Sequence, residues 1–454
     1  MNSVARRLAS RPCWSVFVGS LLMLMGLQYK PAILSYTTRF VDFTQYMLAH
    51  GVTLFPIADD LKPYPDYTIG NTFLEYLVSL PFGRVSILSM GLPIAMAASL
   101  MLVFIYKLGA LHDKKWGMYG VLFALFTWAF LDAVTYQALD VYPALFAVIS
   151  FYLVYVTDVK PGRSRLPLVF VALVMGFAFR GPVGLIGPTL IVVSYYALSR
   201  QWRRLFWFLV LAGLTLLVCL VALIGAAYLQ GGKPFMMDVL MMQGLGRVAN
   251  DHGPRYYFYF TLGLATYGVT AFYALSVIVK QFKHFFRSPR HPDTTLLLYL
   301  AVWLLAVLVL FTIPNSKKLR YVMSITPAIA LLAAYVFVDR EGMFARVREG
   351  FLRFCLNLPA ISLGMALIVY VYNHWAKTAL QPDYAGLLGG SMVLLLGRWL
   401  IMPRLLKHPY RNAIVMGFGL LAYFSMDACL FNAAGYQLQF AVEPTPKYLP
   451  FWFW

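Results

Sequence analysis

Residues 311–337 read FTIPNSKKLRYVMSITPAIALLAAYVF, and this stretch decides the fold class. An apolar run ends, a short break brings in three cations, and a second apolar run follows. A run of about twenty apolar residues is long enough to cross a bilayer. The same alternation extends along most of the 454 residues, of which 61% are hydrophobic and 12% charged. The sequence therefore predicts an all-α integral membrane protein rather than a soluble domain.

Hydropathy predicts about thirteen transmembrane helices. Their predicted starts lie near residues 14, 85, 116, 141, 166, 182, 205, 258, 294, 321, 355, 384 and 413. The first follows arginines without a small-residue cleavage site, so we expect a retained span and no removed signal peptide. The net charge of +19 could suggest nucleic acid, but the basic residues form short clusters between apolar runs. We therefore expect a membrane partner and no nucleic-acid partner.

The basic clusters occupy every second loop, for example LHDKK, KPGRSR and SRQWRR. By the positive-inside rule these loops and the N-terminus are cytoplasmic, and the remaining loops face outside. Two long outside segments, 39–51 (RFVDFTQYMLAHG) and 234–248 (PFMMDVLMMQGLGRV), mix apolar and polar residues at near-helical spacing. This pattern predicts helices that lie in the membrane interface and wall a lipid-facing site.

Cations on the outside run against the positive-inside bias and are candidates for binding an anion. Lys317, Lys318 and Arg320 lie close enough for a Debye length of roughly 8 Å to let them act on one phosphate. Contact with anionic lipid headgroups is the alternative. Arg180, in GFAFRGPVGLIGP, lies at a second outside helix break and could favour an anion or simply snorkel to water.

Carboxylates beside membrane spans are costly unless they are solvated or used, which makes Asp66 and Asp140 candidates for catalysis. Asp140 could instead cap the helix that begins after it. Asp66 lies between Tyr64 and Tyr67 in a Pro-rich turn, where such residues are also ordinary. In the segment GRVANDHGPRYYFYF, the aromatic cluster could stack on a sugar or anchor the next span. Zincin, P-loop, GxSxG hydrolase and dinucleotide motifs are absent.

Taken in order, these segments resemble the bacterial polyprenyl-phosphate-sugar-dependent glycosyltransferases of the C superfamily. That group contains aminoarabinose transferase of lipid A and the protein mannosyltransferases. YTTRFVDFTQYMLAHGVTLFP resembles the family's D-E-x-R-Y-x-E-x-x-x-x-M-L-x-x-G-x-W-x-x-P, with Arg39 and Asp42 in register. KPYPDY resembles P-Y-[FL]-[ED]-K-P, with Asp66 on its acidic position, and Asp140 matches the aspartate after the third span.

Three further blocks extend the resemblance to about Phe337. GFAFRGPVGLIGP resembles G-x-x-x-x-K-G-P with arginine for lysine, GRVANDHGPRYYFYF resembles R-F-…-H-x-x-P-x-x-Y-Y, and KKLRY resembles K-L-P-x-Y. The chain departs from the family at Tyr36 and Thr37, which replace the first acidic pair and its presumed catalytic base. Asp42 lies about 240° further round a helix and does not share that face.

The resemblance implies a glycosyltransferase C (GT-C) fold, with a catalytic region at 1–340 and further membrane helices with a short outside tail at 341–454. It implies a multi-pass protein of the bacterial inner membrane whose site faces the periplasm. There it would move a sugar from a polyprenyl phosphate to an envelope lipid or glycan such as lipid A. The stereochemistry of transfer and a divalent metal are left open, with no cofactor required by the residues. The alternatives are a transporter and a non-catalytic binder of lipid-linked sugars.

The sequence and the resemblance together assign three groups of site residues. The predicted catalytic residues are Asp66 and Asp140. The predicted phosphate-binding residues are Lys317, Arg320, Arg247 and Arg180. The predicted substrate-lining residues are Arg39, Asp42, Tyr64, Tyr67, His252, Tyr256, Tyr257 and Tyr321.

Overall fold

Helices account for the regular secondary structure of the protein in a computed structural model. The structure describes residues 12–28, 35–57, 61–160, 162, 164–245, 256–287, 291–314, 317–339, 341–376 and 382–432. Within these ranges, the one β pairing is an isolated bridge between Ile57 and Pro63. The all-α class predicted from the sequence is confirmed.

The α-helices of the described residues are numbered here in chain order. They are α1 (Pro12–Gln28), α2 (Ser35–His50), α3 (Gly70–Ser79), α4 (Ile87–Gly109), α5 (Lys114–Leu125), α6 (Trp128–Thr135), α7 (Val141–Val159), α8 (Leu166–Arg180), α9 (Pro182–Leu198), α10 (Trp202–Leu240), α11 (Gly268–Phe285), α12 (Pro292–Thr312), α13 (Thr326–Ala334), α14 (Ala345–Ala376), α15 (Tyr384–Leu400), α16 (Met402–Leu405) and α17 (Arg411–Met426). Short 3₁₀ segments are Leu80–Phe82, Leu319–Ile325 and Tyr335–Phe337, and π segments are Met241–Leu245, Tyr259–Gly263 and Asp427–Asn432.

The number of membrane crossings differs from the prediction of about thirteen. Within the described ranges, seven helices are long and apolar enough to cross a membrane, or eight if the bent pair α5 and α6 forms one span. Shorter apolar helices, α1, α8, α9 and α15, account for further predicted spans. Where a span was predicted from near residue 258, the α-helix begins only at Gly268, after a turn and the π segment Tyr259–Gly263, and it is not among these apolar helices. The membrane class is therefore confirmed, whereas the count of thirteen is not.

Both outside segments predicted to be amphipathic are helical. The first forms α2, which buries Phe40, Phe43 and Met47. The second continues α10 beyond a break at Gly231 and Gly232, where the backbone dihedrals leave the helical region. Its last residues, from 246, lie outside the described part of the chain. The placement of these helices in a membrane interface stays a prediction.

Contacts divide the described residues into two compact units, with the boundary between Ala334 and Tyr335. In the first unit, α7 packs against α4, α8 and α9, and α13 packs against α5 and α11. Buried indole groups hold α13 and the 3₁₀ segment Leu319–Ile325 that precedes it. Trp116 Nε1 donates to the carbonyl of Leu331 at 2.8 Å, and Trp303 Nε1 donates to that of Ser324 at 3.0 Å.

The second unit contains α14, α15 and α17, which pack on one another. Ala366, Leu387 and Leu430 form its buried cluster. The units are defined by contacts alone, so the functional division predicted at residues 340 and 341 stays a prediction.

Helices α8 and α9 form a hairpin with a single residue, Gly181, between them. Gly181 has φ of 62° and ψ of −149°, a conformation that side-chain-bearing residues rarely adopt. Along the hairpin, Gly176 and Gly184 face each other so closely that a Cβ on either would collide with the backbone carbonyl oxygen of the other. The two glycines therefore set how closely the helices approach, and with it the position of Arg180.

Replacing Gly184 with alanine is expected to lower the free energy of unfolding by roughly 1–3 kcal/mol, because the added methyl group forces the two backbones apart. The matched control is Gly187→Ala in the same helix, where a Cβ would meet nothing within 4 Å. Denaturant titration of the purified protein in detergent measures both variants. Equal stability of the two variants would show that the close approach of the helices is not required.

Candidate active site

Asp140 lies between two arginines from distant parts of the chain. Its Oδ1 is 3.1 Å from Nε of Arg180, and its Oδ2 is 3.2 Å from Nε of Arg320. The side chains of Asp140 and Arg180 are each 4% exposed, and that of Arg320 is 24% exposed. The cluster thus joins the start of α7, the C-terminal end of α8 and the 3₁₀ segment Leu319–Ile325. It contains two positive charges and one negative charge.

The geometry of Asp140 tests one of the two roles that its sequence position left open, the capping of α7. Asp140 immediately precedes α7, but its side chain makes no capping hydrogen bond to that helix. The capping interpretation is therefore wrong. Both carboxylate oxygens face guanidinium groups instead, an arrangement that suits holding Arg180 and Arg320 in place. Snorkelling does not describe Arg180 either, because its side chain is buried and ion-paired.

Aromatic rings surround the guanidinium of Arg180. Its central carbon lies 5.9 Å from the ring centroid of Tyr67 and 5.8 Å from that of Tyr321. Tyr67 stacks on Tyr64 with centroids 5.3 Å apart, and Arg39 Nη1 donates to the Tyr64 hydroxyl at 2.8 Å. The structure therefore brings four predicted lining residues together around the Asp140 cluster, and their contact with a substrate stays a prediction.

Lys317 and Arg320, predicted to share one phosphate, have different surroundings. Lys317 Nζ donates to the backbone carbonyls of Phe311 and Thr312, at 3.1 and 2.5 Å, at the C-terminal end of α12. It also lies 5.5 Å from the ring centroid of Tyr259. Burial lowers the pKa of the Lys317 ammonium. An ammonium has three donors, so two of those of Lys317 cap a helix end, a common role for lysine.

The other predicted site residues are placed as follows. Asp66 is half-buried in the turn that follows Tyr64, and Asp42 is half-buried on α2. Tyr256 and Tyr257 are 64% and 68% exposed. Arg247 and His252 lie outside the described residues. Tyr36 and Thr37, which replace the family's acidic pair, fall within α2.

The sequence interpretation missed Glu75, a fully buried carboxyl group on α3. Asn71 Nδ2 donates to Glu75 Oε1 at 2.7 Å, and Thr44 Oγ1 donates to Oε2 at 3.3 Å. The Tyr142 hydroxyl in turn donates to Asn71 Oδ1 at 2.9 Å, two residues beyond Asp140. The network joins α2, α3 and α7. Glu75 is the one charged residue of α3, and this was the signal that could have identified it.

Glu75 is expected to make the stability of the protein depend on pH. Burial raises the pKa of Glu75 well above its ordinary value, so the folded state holds this proton more tightly than the unfolded chain does. Its contribution is complete at low pH and is lost as pH rises from the ordinary carboxyl pKa through the raised one. Glu75→Gln should remove this decline while keeping a polar partner for Asn71. Denaturant titrations between pH 5 and 8, roughly the range in which proteins are most stable, give the free energy of unfolding as a function of pH. The same dependence on pH in Glu75→Gln as in the native protein would contradict this prediction.

Two further residues that the sequence interpretation missed hold loops of the site. Tyr259 is completely buried, and its hydroxyl accepts from the backbone N–H of Lys318 and donates to the carbonyl of the same residue, both at 3.1 Å. Gln243 Nε2 donates to the carbonyl of Pro65 at 3.1 Å, next to Asp66. These bonds fix the segment that leads to Arg320 and the turn that carries Asp66. Gln243 lies in an apolar stretch of the sequence and Tyr259 among other aromatic residues, so neither position stands out from the sequence alone.

The described residues contain no group of three or more His, Cys, Asp or Glu side chains placed to hold a metal ion. The divalent metal that the resemblance left open therefore stays an untested expectation.

No family model matches this chain. It is 26% identical over 380 residues to undecaprenyl phosphate-alpha-4-amino-4-deoxy-L-arabinose arabinosyl transferase of Pseudomonas paraeruginosa, a match that covers 80% of this chain. The chain spans about two thirds of that relative's length, 66%. Its fold matches the crystal structure of ArnT from Cupriavidus metallidurans bound to undecaprenyl phosphate with a TM-score of 0.68 at 16% identity, over 91% of this chain and 77% of the other.

The chain has the fold of ArnT. The apo crystal structure of ArnT from Cupriavidus metallidurans agrees, with a TM-score of 0.65 at 16% identity over 94% of this chain and 78% of that one. The GT-C fold implied by the short motifs is thus confirmed, and the resemblance to aminoarabinose transferase is found both in sequence and in structure.

Proposed function

We propose that the protein is a membrane glycosyltransferase that moves a sugar from a polyprenyl-phosphate donor to a lipid acceptor of the bacterial envelope. The observation that carries this proposal is the cluster of Arg180 and Arg320 on Asp140. The name of the curated relative, an arabinosyl transferase that uses an undecaprenyl-phosphate sugar, supports it. So does the undecaprenyl phosphate bound to the structurally similar ArnT.

The chemistry of such a transfer requires cations at the leaving group. When the bond between the sugar and the phosphate breaks, the departing polyprenyl phosphate gains negative charge. Guanidinium groups match phosphate geometry and bind it through charge-assisted hydrogen bonds. Asp140 holds both guanidinium groups by their Nε atoms and offsets one of their two charges, so the site is pre-organised with one net positive charge. Each well-placed donor of this kind lowers a barrier by roughly 2 to 4 kcal/mol.

The acceptor we propose carries its own phosphate, as lipid A does. A neutral hydroxyl needs a general base, whereas a phosphate oxygen is already an anion. Asp140 is a poor base in this geometry because both of its oxygens face arginines. Tyr36 and Thr37 stand where the family has its acidic pair. Asp66, half-buried in its turn, remains the candidate base if the acceptor is a hydroxyl.

The site is proposed to face the periplasm, and a reporter fusion tests this orientation. A reporter fused after residue 316, between α12 and the segment Leu319–Ile325, is expected to give an extracytoplasmic signal. The reason is the alternation of basic loops, which puts this connection on the outside. A cytoplasmic signal would reverse the topology of every loop. A fusion in the basic loop after α9 is the matched control and should report the cytoplasm.

The test of the function is whether a covalent bond is broken. Purified protein is reconstituted in vesicles with lipid-linked sugar donors and lipid A from the same envelope, and lipids are followed by mass spectrometry. Transfer yields free polyprenyl phosphate together with an acceptor heavier by one sugar residue. Movement of intact donor across the vesicle, without free polyprenyl phosphate, would support a transporter. Binding of donor without either outcome would support a non-catalytic binder.

A further inference from the structure

A cavity of 450 Å³ lies at the end of α7 remote from Asp140. Its walls include Leu153 and Asp158 on α7, Leu166 on α8, and Arg203 and Trp207 on α10. Asp140 immediately precedes α7, and Asp158 is the penultimate residue of this 19-residue helix. At 1.5 Å per residue the two carboxylates lie about 27 Å apart along the helix. The cavity is therefore separate from the candidate active site, and a separation close to the thickness of the hydrocarbon layer predicts that it faces the opposite side of the membrane.

The cavity carries a net positive charge among its described side chains. Asp158 is its acidic member, and its Oδ1 accepts from Nη1 of Arg204 at 2.7 Å. Its Oδ2 accepts from the Tyr195 hydroxyl at 2.6 Å and from Gln201 Nε2 at 2.7 Å. The carboxylate is thus satisfied within the protein. Arg203 also lines the cavity, and no described residue forms an ion pair with it. This guanidinium is the charge that remains for a ligand.

The surroundings place the cavity at the boundary between lipid and water. Trp202, Phe206 and Trp207, at the start of α10, are 62%, 60% and 55% exposed. Exposed tryptophan rings beside arginines are typical of the membrane interface. In the most apolar window of α10 only 11% of the residues are buried, and an exposed apolar surface of this kind is expected to face lipid. These features predict that the cavity lies at the level of lipid headgroups, and Leu153 and Leu166 give it apolar walls.

We propose that this cavity binds the headgroup of an anionic phospholipid from the leaflet opposite to the candidate active site. The phosphodiester would accept hydrogen bonds from Arg203, with Trp207 lying at headgroup level. The acyl chains would run along Leu153, Leu166 and the exposed apolar face of α10. Arginine attracts anionic lipid at such a depth, and the apolar walls distinguish a lipid from a free phosphate ion.

Native mass spectrometry of the full chain in detergent, titrated with phosphatidylglycerol, tests the site. Phosphatidylglycerol should bind about fivefold more tightly than phosphatidylcholine, and Arg203→Ala should remove that preference. Arg203→Lys keeps the charge and should retain most of it. The matched control is Arg200→Asn, which removes an equal charge from the neighbouring loop, outside the cavity lining. Asparagine tolerates the positive φ of 57° at that position.

Three outcomes would overturn the proposal. The first is equal binding of the two phospholipids to the unmodified protein. The second is an equal loss of phosphatidylglycerol binding in Arg203→Ala and Arg200→Asn, which would indicate general attraction to a basic surface. The third is displacement of phosphatidylglycerol by inorganic phosphate at equal concentration, which would assign the cavity to a free phosphate. A preference for phosphatidylglycerol that depends on Arg203 and persists in the presence of inorganic phosphate would support the proposal.

Discussion

Replacing Arg320 with alanine is expected to lower the rate of sugar transfer about a hundredfold while membrane insertion and expression stay normal. The reason is that Arg320 supplies one of two guanidinium groups at the proposed leaving phosphate. Its side chain is 24% exposed, and Asp140 keeps its contact with Arg180 when Arg320 is removed. The fold should therefore survive while the transition state loses a cation. Release of polyprenyl phosphate from reconstituted protein measures the effect.

Lys318→Ala is the matched control for Arg320→Ala. Lys318 carries the same charge two residues away, but its side chain is exposed and its backbone is held by Tyr259. Its alanine variant should lose much less activity. Arg320→Lys tests geometry, because lysine restores the charge without the planar fork that binds phosphate in a bidentate way. Similar rates for Arg320→Ala and Lys318→Ala would mean that the segment is only a basic loop at the membrane surface.

Replacing Asp140 with alanine is expected to destabilise the protein by about 3–5 kcal/mol, because it leaves the buried guanidinium of Arg180 without its carboxylate. Both side chains are 4% exposed, so water cannot readily take the place of the lost partner. Arg320, which contacts the other oxygen, would also lie close to Arg180 without an intervening negative charge. Denaturant titration in detergent gives the free energy of unfolding.

The double variant Asp140→Ala, Arg180→Met separates charge burial from lost packing. Removing the unpaired cation together with its partner should recover part of the stability lost in Asp140→Ala. A double variant whose loss equals the sum of the two single losses would show that the ion pair is not energetically coupled. Asp140→Asn keeps an oxygen for the Nε of Arg180 and should fall between the native protein and Asp140→Ala.

Hydropathy predicted the helical membrane class because a segment with apolar side chains enters lipid, where its backbone N–H and C=O groups must be satisfied within a helix. The count of about thirteen is not confirmed, because short helices such as α8 are apolar but shorter than a full span. Charge beside a span singled out Asp140, Arg180 and Arg320 separately. Their pairing could not be predicted from one sequence, because Asp140 and Arg180 are 40 residues apart and meet only through helix packing.

The sequence also could not separate Lys317 from Arg320. The backbone of Lys318 is extended, and the 3₁₀ segment begins at Leu319. The side chains of Lys317 and Arg320, on either side of Lys318, therefore point to different surroundings. Lys317 consequently binds the end of α12, whereas Arg320 binds Asp140. Glu75 escaped attention for a related reason. A carboxyl group on a short helix next to predicted interfacial segments looks like a solvated residue until packing shows it completely buried.

The hairpin of α8 and α9 is shorter than the hydrocarbon layer is thick. Its helices contain 15 and 17 residues, which rise about 22 and 26 Å against a layer of about 30 Å. Basic residues such as Arg165 and Arg200 are expected to anchor its open end at one boundary. The turn at Gly181 would then fall short of the other boundary, and local thinning of the bilayer would relieve the mismatch. Such thinning would lower the headgroups of nearby lipids to the depth of Arg180, so that the proposed donor and acceptor lipids would not have to be lifted out of their leaflet.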